Sequence, residues 1–209
     1  PSRLVGSEMC IRDRSLHPLV TAIPGLKVAM PSTPADAKGL LATAIRDDDP
    51  VIFFEHKTLY TISGDVPDDE YLVPFGKARI VSEGNDCTLV ATGRMVSFCE
   101  NAAQALAEDG ITCDIIDPRT TSPLDEDAIL DSVEKTGRLV VVDETPPRCS
   151  FAADIAALAA GEVFSSLKAP VRQITGPHSP VPFAKELEGE FVPSPTKIRD
   201  AVSEVVNFK

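Results

Sequence analysis

Long apolar runs are missing from this chain. None approaches the ~20 residues of a membrane-spanning helix, so no membrane span is expected. Positive charge is scarce: 20 Lys and Arg stand against 32 Asp and Glu, a formal net charge of −12. Nucleic acid and anionic membranes attract basic surfaces, so neither is an expected partner. The five cysteines (Cys10, Cys87, Cys99, Cys113, Cys149) are odd in number and never form C-x-x-C. That argues against a disulfide framework or a zinc site and for a reducing, cytoplasm-like compartment. The three histidines, His17, His56 and His178, have no metal-ligand spacing. A glycine-rich phosphate loop, G-x-S-x-G and H-E-x-x-H are all absent, and no internal repeat stands out.

What is present is a well-punctuated α/β pattern, with 43% hydrophobic and 25% charged residues, ordinary values for a globular protein. Leu26 to Met30 is a short apolar run closed by Pro31, a buried strand. Thr33, Pro34 and Asp36 form a helix start: a capping hydroxyl, a proline whose missing N–H costs nothing, and the third-position acid of a capping box. Ala37, Leu40, Leu41, Ala44 and Ile45 recur at helical spacing and give one apolar face. Pro50 ends the helix, and Val51 to Phe54 is a second strand. Strand, helix, strand at this spacing is a parallel crossover unit.

Residues 61–76 are rich in proline, glycine and acids and read as a linker. Beyond it the alternation resumes. Strands are expected over Asp86 to Thr92, Ile111 to Ile116, Leu139 to Val142 and Val171 to Ile174. Helices are expected over Val96 to Ala107, Asp125 to Lys135, Phe151 to Ala160 and Ile198 to Val206. The expected fold class is α/β, mostly parallel sheets with helices on both faces. The expected organisation is 1–14, 15–60, 61–76 and 77–209. Residues 1–14 have a different texture, like a translated adapter scar or a disordered tail, and carry no chemistry. Residues 15–60 are too few to fold alone and belong to a larger sheet.

Several residues invite chemistry. Asp47, Asp48 and Asp49 oppose the macrodipole at a helix C-terminus, where a hard cation on backbone carbonyls and a carboxylate would resolve the conflict. A solvated Asp-Pro turn is the alternative, and the residues alone favour it. Asp143 and Glu144 follow the best-defined strand, where α/β ligand sites lie; a plain polar strand end is the alternative. Cys149 lacks a base partner and reads as a structural thiol. His56 follows a buried strand and can face a cleft, with Glu55 pointing to the opposite side; a plain surface histidine is the alternative, and the residues favour it.

The runs GLKVAMPSTPADAKGLLATAIRDDDPVIFFEHKTLY, VPFGKARIVSEGNDCTLVATGRMV, DPRTTSPLDEDAIL and GRLVVVDE, in this order, resemble the beta subunit of the 2-oxoacid dehydrogenase decarboxylase component, of the bacterial pyruvate and acetoin type. The resemblance runs from about Ser15 to the C-terminus. It implies a partial pyrimidine-binding domain plus a transketolase-type C-terminal domain, in a subunit truncated at its N-terminus. It also implies thiamine diphosphate and magnesium bound in an α2β2 assembly rather than by this chain alone, so no catalytic or cofactor-binding residue is expected among its residues. The implied partners are the alpha subunit, a second beta subunit and a dihydrolipoyl acyltransferase core. The implied reaction is oxidative decarboxylation of pyruvate or a similar 2-oxoacid, with acyl transfer to lipoyl groups. The alternatives are a transketolase or deoxyxylulose-phosphate synthase region, or a non-catalytic assembly module. Carried over from the family, a potassium ion would be held by the carbonyls of Ala44, Ile45 and Asp47 and by Asp49, where relatives usually have asparagine.

Overall fold

A computed structural model describes residues 15–182 and 184–208; the expectation for residues 1–14 lies outside them. In the first segment α1 (His17–Thr21) leads into β1 (Lys27–Ala29), α2 (Pro34–Arg46) and β2 (Val51–Phe53), followed by a 3-10 turn at Lys57–Thr61. β1 and β2 pair in parallel, as the crossover pattern requires. Helix α2 starts as the sequence dictates: Thr33 Oγ1 accepts from the Asp36 N–H at 3.1 Å and donates to Asp36 Oδ2 at 2.8 Å.

The second segment contains β3 (Arg79–Ser82), β4 (Cys87–Ala91), α3 (Arg94–Glu108), β5 (Cys113–Asp117), β6 (Thr120–Ser122), α4 (Glu126–Thr136) and β7 (Leu139–Val142). It continues with α5 (Phe151–Glu162), β8 (Arg172–Ile174), α6 (Lys185–Phe191) and α7 (Pro195–Val206). Five strands form one sheet in the order β3-β5-β4-β7-β8, parallel except for the edge strand β3. Successive strand residues face opposite sides. Leu89, Ala91, Val140 and Val142 pack with α3 and α7, while Val90, Leu139 and Val141 pack with α4 and α5. The sheet is thus covered on both faces, and its central strands β5, β4 and β7 are buried along their whole length.

Two features depart from the sequence reading. β3 and β6 are short antiparallel strands that the pattern did not announce. β6, from the second segment, pairs with β1, so the order β2-β1-β6 makes one sheet from both segments. The apolar face expected on α2 is also split. Leu40 is fully buried, but Leu41 is 44% and Ile45 75% exposed.

Residues 61–76 lack regular structure beyond Thr61 yet lie against α2. Tyr71 donates its hydroxyl to the Ala35 carbonyl at 2.6 Å, and the Val73 N–H bonds the Gly39 carbonyl at 3.2 Å. A Cβ on Gly39 would come within 2.5 Å of Val73 Cγ2, so only glycine allows this approach.

Charges tie the two segments together. Asp36 meets Arg119 Nη1 at 3.1 Å and Arg79 Nε at 3.3 Å, and Arg79 Nη2 reaches Asp117 Oδ2 at 3.3 Å. Ser32 donates to the same Asp117 oxygen. Burial of Asp117 raises its pKa to about 6, against the opposing pull of Ser32 and Arg79.

Candidate functional site

Four parallel strands from the two sheets aim their C-terminal ends at one cavity of about 550 Å³. Met30 and Pro31 follow β1, Phe54 to Thr58 follow β2, Gly93 and Arg94 follow β4, and Glu144 follows β7. In the five-stranded sheet β4 and β7 are neighbours, yet the chain leaves β4 for α3 on one face and β7 for α5 on the other. That divergence opens a crevice at the switch point, the usual ligand position in open α/β sheets. Gly93 adopts φ +54°, and its Cα side lies against the His56 Cβ, so the β4 and β2 ends touch.

The two acids after β7 each meet a histidine of the first segment. Glu144 Oε2 lies 2.7 Å from His56 Nε2, both side chains mostly buried. The Thr58 N–H donates to His56 Nδ1 at 3.3 Å, which makes Nδ1 the acceptor and leaves Nε2–H to donate to Glu144. His56 is therefore a built polar contact between segments, not a free surface histidine. Glu55 also lines the cavity rather than facing away from it, because β2 ends at Phe53 and strand alternation stops there. The Tyr60 hydroxyl donates to Glu55 at 2.9 Å.

His17 and Asp143 form the second contact, each 1% exposed, with Nε2 to Oδ2 at 3.7 Å. That is an ion-pair distance and too long for a hydrogen bond. Ser15 Oγ sits 2.7 Å from Nδ1, and Phe151 meets the ring edge-on at 6.1 Å between centroids. Burial works to raise the Asp143 pKa, but His17 and the two Thr145 donors outweigh it, and the net shift is downward.

Arg94 differs from these paired groups. It is half-buried, lines the cavity and makes no ion pair among the described residues. Its guanidinium rests 4.6 Å above the Phe98 ring one turn along α3.

The acid triplet at the end of α2 is organised by Lys27 on β1. Its ammonium lies 2.7 Å from Asp47 Oδ1 and 3.0 Å from Asp49 Oδ2. The hydrogen bond from Lys27, then that from the Asp49 N–H, hold the Asp47 carboxyl below its usual pKa. The Asp47 N–H bonds the Ala44 carbonyl at 3.4 Å, and the Asp49 N–H goes to Asp47 Oδ1 rather than back to Ile45. Ala44, Ile45, Asp47 and Asp49 are thus brought together at one helix end, with a lysine already on the two carboxylates. Cys149, two residues before α5, is exposed and has φ +50°, unlike the buried structural thiol it was expected to be.

Residues 76–198 match the family model of the transketolase C-terminal domain, and residues 15–63 that of the transketolase pyrimidine-binding domain. Acetoin:2,6-dichlorophenolindophenol oxidoreductase subunit beta of Bacillus subtilis (strain 168) is 54% identical over 194 residues, 93% of this chain and 57% of the relative. Pyruvate dehydrogenase E1 component subunit beta of the same organism is 43% identical over 195 residues, 93% of this chain and 60% of the relative. The chain thus spans somewhat under two thirds of these relatives. A solved structure described as a split gene transketolase, an inactive beta4 tetramer, superposes with a TM-score of 0.75 at 20% identity, over 92% of this chain and 60% of that one. The fold and the two domain matches agree: the chain belongs to the family defined by the transketolase C-terminal domain, and carries part of the pyrimidine-binding domain as well.

Proposed function

We propose that this chain is a large part of the beta subunit of a thiamine-diphosphate-dependent dehydrogenase of the acetoin and 2-oxoacid class. The observation that carries this is 54% identity to an acetoin oxidoreductase beta subunit across 93% of the chain. The pyruvate-type relative, at 43%, supports the class and makes acetoin the first substrate to test. Residues 15–60 serve as the end of the pyrimidine-binding domain, 61–76 as a strap over α2, and 77–209 as the C-terminal domain.

Among the described residues no three His, Cys, Asp or Glu side chains gather to hold a metal ion. An alpha subunit is proposed to hold magnesium and the diphosphate. When bound, thiamine diphosphate supplies a nucleophilic carbon and an electron sink for cleaving the bond beside the substrate carbonyl. This chain's own part is to close the assembly. Leu19, Ile23, Leu41 and Ile45 expose apolar surface on α1 and α2 and between them and the neighbouring strands, and such surface is covered by partners in obligate assemblies. Those partners are the alpha subunit and a second beta subunit, with the acyltransferase core docking on the C-terminal domain. No helix of the described residues is long and apolar enough to cross a membrane, and the cytoplasm is the proposed location.

A potassium ion at the end of α2 completes the proposal, held by the carbonyls of Ala44, Ile45 and Asp47 with Asp49. The Lys27 ammonium already pairs with both carboxylates at this helix end, so potassium would have to displace it from Asp49. The test of the whole reading is calorimetric titration of thiamine diphosphate with magnesium. Binding is expected in the full-length beta subunit assembled with its alpha subunit and not in the 209-residue chain alone. Tight binding by the chain alone would refute the assignment.

A further inference from the structure

We propose that the crevice between β4 and β7, roofed by the ends of β1 and β2, binds a small organic anion, with Arg94 as its anchor and an apolar wall for the body of the ligand. The volume, about 550 Å³, lies within the usual range for small-molecule pockets. Its position obeys the switch-point rule on independent grounds, since the loops after two adjacent parallel strands leave to opposite faces there.

The chemistry of the lining selects the ligand. His56 uses both ring nitrogens, one accepting from Thr58 and one donating to Glu144. Glu55 accepts from Tyr60. These groups are committed to one another. Glu188 and Lys57, both exposed, stand at the solvated rim, one charge of each sign. Arg94 is the half-buried charge left over, and it is oriented: Phe98 holds the guanidinium plane, so little side-chain freedom is lost on binding. It also sits in the first turn of α3, a 15-residue helix whose Met95 and Val96 N–H groups already bond the Thr92 and Gly93 carbonyls, so the helix offers its dipole. A carboxylate or phosphate head would pair with Arg94, reinforced by the positive end of the helix. Met30, Phe54, Phe191 and Leu16 line the remainder and suit a short hydrocarbon body. A phosphate and a carboxylate share this head-group chemistry, and the test separates them.

The experiment is isothermal titration of the full 209-residue chain with inorganic phosphate, butyrate and butyl phosphate as probes, alongside thermal melts. Butyl phosphate or butyrate is expected to bind more tightly than inorganic phosphate, because only these fill the apolar wall. Whichever of the two binds better names the head group. Arg94→Met, which keeps the stem and removes the charge, is expected to weaken binding about tenfold to a hundredfold without lowering the melting temperature. Arg94→Lys should recover part of the loss, and Arg199→Met, an exposed arginine on α7, should change nothing. Met30→Asp should abolish the advantage of the butyl probes. Equal affinity for Arg94→Met and wild type, equal losses for Arg94→Met and Arg199→Met, or no binding of any probe tighter than on the order of 1 mM would overturn the proposal.

Discussion

Replacing Asp117 by asparagine should change how stability depends on pH. The carboxyl is fully buried at the end of β5, between Ser32 and Arg79 of the segment junction. Burial raises its pKa from 3.8 to about 6. A carboxyl held up in the folded state stabilises the protein most when protonated. That contribution is complete below the unfolded value and is lost as pH rises through about 6. A shift of this size is worth about 3 kcal/mol at roughly 1.4 kcal/mol per unit, and about half of it falls above pH 5. Asparagine does not titrate, so the stability difference between wild type and Asp117→Asn should drift by about 1 kcal/mol or more from near pH 5 to near pH 8, against the wild type. Acids with lowered pKa, such as Asp47, Asp86 and Asp143, are present in both proteins and cancel in the difference. The chain has no tryptophan, so urea unfolding followed by far-ultraviolet circular dichroism is the suitable assay. A difference that stays flat across this range, or moves in favour of the wild type, would refute the reasoning.

Gly84→Ala should destabilise by about 3 kcal/mol or more, because a Cβ there would lie 2.3 Å from the backbone nitrogen of Cys113. Gly161→Ala, with open space around it in the last turn of α5, should stabilise by about 0.5–1 kcal/mol; denaturant midpoints read both. A thiol reagent under native conditions should label Cys149 and spare Cys87, Cys99 and Cys113, since burial pushes all three thiols up, Cys113 to about 12. Rapid labelling of Cys99 in the folded chain would contradict that. In the assembled enzyme Asp49→Ala should reduce the melting-temperature gain from added potassium, and an unchanged potassium response would count against the cation site.

Local signals carried most of the fold. Thr33-Pro34 with Asp36 announced the start of α2 because a cap is made by neighbours in sequence. Leu139 to Val142 announced β7 because a strand covered on both faces is apolar throughout. β3 and β6 escaped because three or four residues are too few to show a period, and their antiparallel pairing is decided by distant partners. The site was legible only in halves. Asp143 and Glu144 stood at a strand end and His56 followed another, but their pairing spans 88 residues and has no local trace. The switch-point rule applied to β4 and β7 would have pointed to Gly93, Arg94 and Glu144 together. The sequence pattern shows Asp36 only as a cap, whereas its carboxylate also binds Arg79 and Arg119 across the junction.

The central claim is the functional class, and the kinetics of the assembled enzyme test it most directly. Full-length beta subunit, co-expressed with its alpha subunit and supplied with thiamine diphosphate and magnesium, should reduce dichlorophenolindophenol with acetoin or a 2-oxoacid as substrate, with the larger kcat/KM for acetoin. Ketol transfer between sugar phosphates without dye reduction on either substrate would contradict the account and place the chain among the transketolases.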